Sequence, residues 1–124
     1  MKKSHPTCRC VVLRHESHGE THFDFMIEAG AALATWQFAS SPALLIAGGA
    51  LPCRRLADHR VAYLDYEGPV GGDRGQVERE DSGSCTVMSQ TDAVWQLDLH
   101  GQTMRGSYTL VRRDCVWTLV REQR

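Results

Sequence analysis

Hydrophobic and polar residues alternate along several short segments of this chain, most clearly in THFDFMIE, Thr21 to Glu28. Successive side chains of a β-strand point to opposite sides, so this alternation predicts a strand with one apolar and one polar face. The apolar face carries Phe23, Phe25 and Ile27, and the polar face carries His22, Asp24, Met26 and Glu28. A half-buried strand is expected to have the apolar face, but the polar face sets an imidazole two residues from a carboxylate.

Comparable patterns predict strands over most of the chain. The segments are CRCVVLRHE, LATWQFA, HRVAYLDYEG, CTVMSQ, AVWQLDLHG, MRGSYTLVRR and CVWTLVRE. SHGE, AGAA and Arg113-Asp114 predict turns between strands, and GPVGGDRG is a glycine-rich loop. Ser41 before Pro42 predicts a short helical turn that ends at Gly48-Gly49. Many short strands at near-regular spacing are typical of an antiparallel barrel or sandwich, and we expect an all-β, mainly antiparallel, compact β-barrel with short helical turns.

The chain length and the cysteines limit the class of protein. A chain of 124 residues is expected to form one domain, residues 1–124, large enough to bury a core, with residues 1–8 as a flexible N-terminal tail. Its five cysteines include no CxxC pair, so neither a zinc ribbon nor a disulfide framework is indicated. We therefore expect a reducing, cytoplasmic location. The cysteines and the three tryptophans are expected to pack in or near the core.

The formal net charge of -1 gives no general attraction to nucleic acid or to anionic membranes. Any contact with a polyanion would therefore need a local basic patch. No apolar run approaches the roughly 20 residues of a membrane span. The start, MKKSHPTC, has no apolar segment after its lysines, so we expect neither a signal peptide nor a membrane partner.

Two histidines and an aspartate, His15, His22 and Asp24, fall on adjacent strands if SHGE is a hairpin turn. Neighbouring strands lie about 4.8 Å apart, so these side chains could converge on one ion. Two imidazoles and a carboxylate suit Mn²⁺, Fe²⁺ or Zn²⁺. The alternative is a solvated polar face, which spacing alone favours because short His-x-Asp matches are common. His18, in the turn, is a competing ligand.

A second polar segment, LADHRVAYLDYEGPV, places His59 and Tyr63 on one face of a predicted strand, with Asp65 beside them. Together the segments VVLRHESHGETHFDFMIE, TWQF, DHRVAYLDYEGPV and MRGSYTLVRR…VWTLVRE resemble, in order, the 3′-phosphoesterase domain of bacterial DNA ligase D. The resemblance runs from about Cys10 to Glu122 and is strongest to the short, free-standing branch of that family.

The resemblance implies a manganese-dependent enzyme of DNA end repair, with Zn²⁺ or Fe²⁺ as alternative metals. Such an enzyme trims 3′ ends of nucleic acid, removing a terminal ribonucleotide down to a phosphate and then the phosphate. The matched positions are His15, His22 and Asp24 for the metal, His59 at the scissile phosphate, Tyr63 beside it and Arg55 as the phosphate-binding arginine. Arg54 remains an alternative to Arg55, because the segment before His59 is shorter here. The base for the attacking water is not identified.

Two positions depart from the family pattern. Met26 stands where the family has an arginine two residues after the aspartate, and Ser40 stands where it has a lysine. Each charge-assisted contact to a phosphate stabilises it by about 1.5–3 kcal/mol, so two losses could slow catalysis by orders of magnitude. The arginines that could substitute are Arg74, Arg79 and Arg105.

These departures leave two alternatives to a 3′-end phosphoesterase. One is a catalytically impaired, metal-holding domain that binds phosphorylated ends or a DNA-repair protein without turnover. The other is a phosphoesterase for a small phosphorylated substrate, which the near-neutral charge would suit. The sequence indicates no oligomeric state.

Overall fold

The computed structural model describes residues 5–123 and consists of nine β-strands with two short 3₁₀ helices. The strands are β1 (Thr7–Ser17), β2 (Glu20–Ala29), β3 (Ala32–Phe38), β4 (Ala50–Arg60), β5 (Gly68–Pro69), β6 (Gln76–Gln90), β7 (Val94–Gly101), β8 (Arg105–Arg113) and β9 (Val116–Arg121). The helices are Pro42–Leu44, which follows β3, and Val61–Leu64, which follows β4. Neither has the length and apolar character needed to cross a membrane.

Eight of the strands close into an antiparallel β-barrel, which confirms the predicted fold class. They follow the order β1-β2-β3-β4-β9-β8-β7-β6, and the pairing of β1 with β6 closes the ring. The two-residue strand β5 pairs with the start of β6. Closure leaves the eight strands without free edges, because each is hydrogen-bonded on both sides.

The barrel interior is filled by the apolar faces of the strands. Trp36, from β3, is fully buried, and its ring meets the rings of Trp95 and Trp117 edge-on at 5.1 and 5.6 Å. The expectation that the tryptophans pack in the core is confirmed. Cys10 and Cys85 are buried as predicted, whereas Cys115 is exposed in the turn between β8 and β9.

A second apolar cluster lies on the outer surface of the barrel wall. Its members are Val11, Leu13, Met26, Leu33, Leu64 and Val77. Leu64 belongs to the Val61–Leu64 helix, which covers the outer faces of β1, β2 and β3 at this point. Neighbours such as Phe25 and Met26 are therefore both buried, on opposite faces of β2. Leu13, Met26 and Val77 of this outer apolar cluster also line the groove described below.

The strand predictions fail mainly in two places, β4 and the first part of β6. Sequence alternation predicted the latter strand only from Cys85, whereas β6 begins at Gln76. Sequence alternation predicted a strand through HRVAYLDYEG, but β4 ends at Arg60 and Tyr63 lies in the Val61–Leu64 helix. The earlier part of β4 was missed because Pro52, which lacks an N–H, interrupts the pattern. The Pro42 helix is capped by the Ser41 side chain as predicted, but it ends at Leu44, since Leu45 is already extended.

The N-terminal boundary also differs from the expectation. β1 begins at Thr7, so Thr7 and Cys8, assigned to the tail, pair with Thr86 and Cys85 of β6. Residues 1–4 of the predicted tail lie outside the described residues.

Candidate functional site

The β1–β2 hairpin sets two histidines opposite each other. His15 of β1 is the direct cross-strand partner of His22 of β2. The strands join through His18 and Gly19, both with positive φ, which matches the right-handed twist of a two-residue hairpin. Asp24 follows two residues after His22 and so shares its outer face. The hairpin therefore brings the three predicted ligands together on the outer wall.

The three side chains converge closely enough to hold one ion. Nδ1 of His15 lies 3.0 Å from Nε2 of His22, and that nitrogen lies 3.6 Å from Oδ2 of Asp24. All three donor atoms lie within 4.8 Å of one another. Ligands about 2.0–2.2 Å from a common metal ion are separated by roughly 3–3.5 Å, so only small movements are needed.

The Asp24 carboxylate is buried without a full set of hydrogen-bond partners in residues 5–123. The residue is buried at 4% exposure, and its Oδ1 has no hydrogen-bond partner among the described residues. Burial raises the pKa of the Asp24 carboxyl, while His22, His59 and His15 act in the opposite direction. Burial also lowers the pKa of His22, favouring the neutral imidazole that binds metals. The donor set and its surroundings fit a divalent ion.

His15 is oriented by the loop that follows β5. Its Nε2 lies 2.5 Å from the carbonyl oxygen of Arg74, so Nε2–H donates and Nδ1 faces His22. Metal-binding histidines commonly donate their second N–H in this way, which fixes the ring and its tautomer. The loop approaches β1 this closely because Gly75 has a φ of +83°, and a Cβ there would lie 1.8 Å from the Glu16 carbonyl oxygen.

A groove of about 260 Å³ opens beside these ligands. Its floor includes Leu13 and Met26, and its walls include His59, Tyr63 and two arginines, Arg60 and Arg74. The rings of His59 and Tyr63 lie 6.0 Å apart at 69°. The structure thus brings both predicted phosphate-site residues to the side of the barrel that holds the histidine–aspartate cluster, although Tyr63 comes from a helix and not from a strand.

A hydrogen bond to the backbone of β4 orients the His59 ring. Nδ1 lies 2.9 Å from the Ala57 carbonyl oxygen, so Nδ1–H donates and Nε2 is the nitrogen left for a ligand. A bulge in β4 decides which face the ring takes. Leu33 and Thr35 of β3 pair with His59 and Leu56, so two residue steps on β3 match three on β4. The extra residue turns His59 to the outer face.

Arg55, the arginine predicted to bind the phosphate, lies on the opposite face of β4 from Arg54. It pairs with Trp36, and its guanidinium lies 4.4 Å from the Trp36 ring centroid, on the inner side of the barrel. Arg54 points to the outer face instead and donates to Gln37, whose cross-strand neighbour is Asp24. Strict alternation would put residues 55 and 59 on one face, and the β4 bulge breaks that alternation. Arg54 therefore replaces Arg55 as the candidate on this face.

The two departures from the family pattern have different surroundings. Met26 is 1% exposed and packs in the outer apolar cluster at the groove floor. Ser40 is exposed and does not line the groove. The floor of the groove is therefore apolar where the family pattern has a cation.

Of the three arginines proposed as substitutes for the family's cations, only Arg74 lies at the groove. Arg74 lines the groove, with its Nε donating to the Gly71 carbonyl oxygen. Arg79 faces Glu67 at 3.8 Å, and Arg105 donates to the Gly101 carbonyl oxygen beside a different cavity. Arg60, which the sequence analysis missed, lines the groove as well; its position directly after His59 was the only signal.

Two other polar residues near the motifs have structural roles. His18 is exposed, and its Nε2 lies 3.1 Å from the Asp73 carbonyl oxygen, so it contacts the glycine-rich loop and is not part of the cluster. Asp65 accepts two hydrogen bonds from the Arg9 guanidinium. That pair joins the residue that follows the Val61–Leu64 helix to β1.

Fold and site together define a small β-barrel protein with a histidine–aspartate cluster beside an arginine-lined groove on its outer wall. The chain belongs to the DNA ligase D 3′-phosphoesterase domain family, whose model matches residues 14–112. No curated protein matches it. All three residues of the cluster, together with His59 and Tyr63, fall within the matched range. The family gives the protein a phosphoesterase-like role in DNA end repair, acting at nucleic-acid ends.

Proposed function

We propose that the protein is a divalent-metal-dependent phosphoesterase that removes a 3′-phosphate, or a 3′-terminal ribonucleotide and then its phosphate, from nucleic-acid ends. The observation that carries this proposal is the meeting of a metal-ligand cluster and cations at one groove. His15, His22 and Asp24 have donor atoms within 4.8 Å of one another, and the groove beside them is lined by arginines. Phosphoryl transfer needs such an arrangement, because its transition state spreads negative charge over phosphoryl oxygens.

The three ligands would hold Mn²⁺, with Zn²⁺ and Fe²⁺ as alternatives, because two imidazoles and one carboxylate suit these ions. A bound divalent ion polarises a phosphoryl oxygen and lowers the pKa of a coordinated water. Among residues 5–123 the buried Oδ1 of Asp24 has no hydrogen-bond partner, which supports a cation beside this carboxylate, since a buried carboxylate oxygen without a partner is costly.

Arginines would bind the phosphate itself. Arg60 and Arg74 line the groove, and Arg54 lies on the same outer face near His22. Arginine forms two parallel hydrogen bonds to phosphate oxygens and keeps its charge at any physiological pH. These residues would offset the charge that grows on the oxygens in the transition state.

His59 and Tyr63 would act at the scissile bond. In hydrolysis of a 3′-phosphate, water adds to phosphorus, the bond from phosphorus to O3′ breaks, and O3′ takes up a proton. In removal of a terminal ribonucleoside, water adds to the linking phosphorus, the bond to the O5′ of that ribonucleoside breaks, O5′ takes up the proton, and the 3′-phosphate stays on the end. Nε2 of His59 is left for a ligand by the hydrogen bond at Nδ1, and when protonated it can donate to a phosphate oxygen or to O3′. The Tyr63 hydroxyl is a further donor in the same groove.

The rival proposal is a metal-holding domain that binds phosphorylated ends, or a repair partner, without turnover. It is supported by Met26, which puts buried apolar surface at the groove floor where the family pattern has an arginine. In residues 5–123 the cations that line the groove are arginines from its walls alone. A phosphoesterase for a small phosphorylated substrate is the third candidate.

The deciding experiment is a manganese-supplemented assay on primer–templates ending in a 3′-phosphate or in one 3′ ribonucleotide. We expect phosphate release in wild type and none in His22→Ala. His100→Ala is the matched control, because His100 is an exposed histidine on β7 paired with Asp98. End binding without release above a metal-free blank would favour the rival, and release only from small phosphoesters would favour the third candidate.

A further inference from the structure

A second groove, of about 340 Å³, adjoins the one that holds the proposed phosphate site. The two grooves share four lining residues, Arg60, Tyr63, Val70 and Arg74. Tyr66 lines only the second groove. The two spaces are therefore neighbouring compartments with arginines on their common wall.

Tyr66 is an exposed aromatic residue that is held in a fixed position. Its hydroxyl donates to the Pro69 carbonyl oxygen, and its ring meets the Tyr63 ring at 6.0 Å and 87°. The chain can pass this close because Gly68, at φ +134°, has no side chain; a Cβ there would lie 3.2 Å from the Tyr66 hydroxyl. The side chain nevertheless remains 38% exposed.

The segment that carries Tyr66 is also tied to the barrel. Asp65, the preceding residue, accepts two hydrogen bonds from Arg9 of β1. Glu67, the following residue, accepts the backbone N–H of Arg79 on β6. A solvent-facing ring anchored on both sides is preorganised, so a ligand that stacks on it loses little binding energy to ordering the protein.

We propose that this second groove, together with Tyr66, binds the base of the nucleotide whose phosphate occupies the first groove. This inference rests on the proposed function and adds to it a contact between the protein and the terminal base. A nucleotide joins a planar base to an anionic phosphate through a sugar. The second groove offers the Tyr66 ring to the base, and the arginines on the common wall face the phosphate in the first groove. Stacking on tyrosine suits any base, because every base has a π-face.

The charge of the protein supports stacking as the source of end affinity. A formal net charge of -1 provides little long-range attraction for a polyanion. Contacts along the backbone of the nucleic acid would therefore contribute weakly, and recognition would concentrate on the terminal nucleotide. Stacking is less sensitive to salt than phosphate contacts, so we expect base-dependent affinity to persist as the salt concentration rises.

The test compares two oligonucleotides that end in a 3′-methylenephosphonate, in which carbon replaces the ester oxygen so that the end cannot be hydrolysed. One has a terminal base and the other a terminal abasic tetrahydrofuran residue. With Mn²⁺ present, wild type should bind the base-bearing end about tenfold more tightly by fluorescence anisotropy. Tyr66→Leu should bind both ends equally, whereas Tyr66→Phe, which keeps the ring, should retain the preference.

Equal binding of the two ends by wild type, no measurable binding of either, or a preference that survives in Tyr66→Leu would overturn the proposal. Matching thermal melts of the variants would show that each is folded. Phosphate release from hydrolysable ends is measured separately. Base preference without phosphate release would contradict the proposed turnover but support the base site. Phosphate release without base preference would support turnover and contradict the base site.

Discussion

The carbonyl oxygen of Arg74 lies 2.5 Å from Nε2 of His15, so the loop that supplies one groove arginine also orients a proposed metal ligand. Phosphate binding and metal binding are therefore expected to depend on the same loop position. A change that lifts the loop from β1 should weaken both.

Gly75→Ala tests that dependence. An added Cβ would lie 1.8 Å from the Glu16 carbonyl oxygen, at a positive φ that alanine adopts poorly, so the loop must move. We expect a loss of about 2 kcal/mol in the free energy of unfolding and weaker Mn²⁺ binding. Gly71→Ala, in the same loop, is the control, because nothing lies within 4 Å of its added Cβ. Urea denaturation and metal titration measure the two effects; equal behaviour of both variants would argue against the coupling.

Manganese should stabilise the wild-type protein against heat. At a hundredfold excess over its dissociation constant, a ligand that binds only the native state contributes about 2.7 kcal/mol, or roughly 10 °C for a domain of this size. His22→Ala should lose most of this gain and keep its metal-free melting temperature, because His22 is a partly exposed residue outside both apolar clusters. His100→Ala should respond to metal as wild type does. A metal response that persists in His22→Ala would contradict the proposed ligand set.

Substitutions of Arg54 and Arg55 should have different effects, one on end binding and the other on stability. Arg55 packs over Trp36 and Trp95, so Arg55→Met should lower the free energy of unfolding by about 1 kcal/mol while the folded protein keeps its activity. Arg54 is exposed, and within residues 5–123 its side chain hydrogen-bonds only to Gln37, so Arg54→Met should leave stability unchanged and weaken binding of a 3′-phosphate end. Denaturation curves and end-binding assays measure both. The reverse pattern would restore Arg55 to the phosphate site.

Restoring a cation at the groove floor tests the significance of Met26. Because Met26 is buried, Met26→Arg should cost stability, by about 2 kcal/mol. It should also raise the rate of phosphate release about tenfold, because a new charge-assisted contact reaches the phosphate. Met88→Arg, at a residue that is 42% exposed on β6, should change neither. An active wild type whose rate does not rise would show that Arg60 and Arg74 already supply the needed charge.

Thiol reactivity should follow burial. Burial raises the pKa of Cys10 and of Cys53 to about 12, so both remain protonated at neutral pH. Cys115 is exposed in a turn. Iodoacetamide at pH 7.5, about four and a half units below those values, should therefore modify Cys115 before Cys10 and Cys53, which should react only after unfolding, as mass spectrometry of peptides would show. Rapid native labelling of Cys10 would contradict its buried position on β1.

The sequence by itself determined most of the barrel strands and placed the three cluster residues on two adjacent strands. Alternation of period two assigned most strands and their apolar faces, because a strand has only two sides. The short turn at His18-Gly19 then fixed the register of one hairpin, and that register sets His15 opposite His22 with Asp24 on the same face. These relationships are local, spanning about ten residues, so the sequence could place the three side chains on adjacent strands once SHGE was taken as a hairpin turn, although spacing alone favoured a solvated polar face.

Tertiary structure decided the rest of the groove. Arg60 and Tyr63 reach it because β4 ends where a helix folds back over an outer apolar patch, and Arg74 reaches it because a glycine lets a distant loop touch β1. The bulge in β4 put His59 on the outer face and left Arg55 inside, since one extra residue reverses the side to which later side chains point. Bulges, helix packing and loop contacts depend on partners far apart in the chain, and a pattern of neighbouring residues does not contain them.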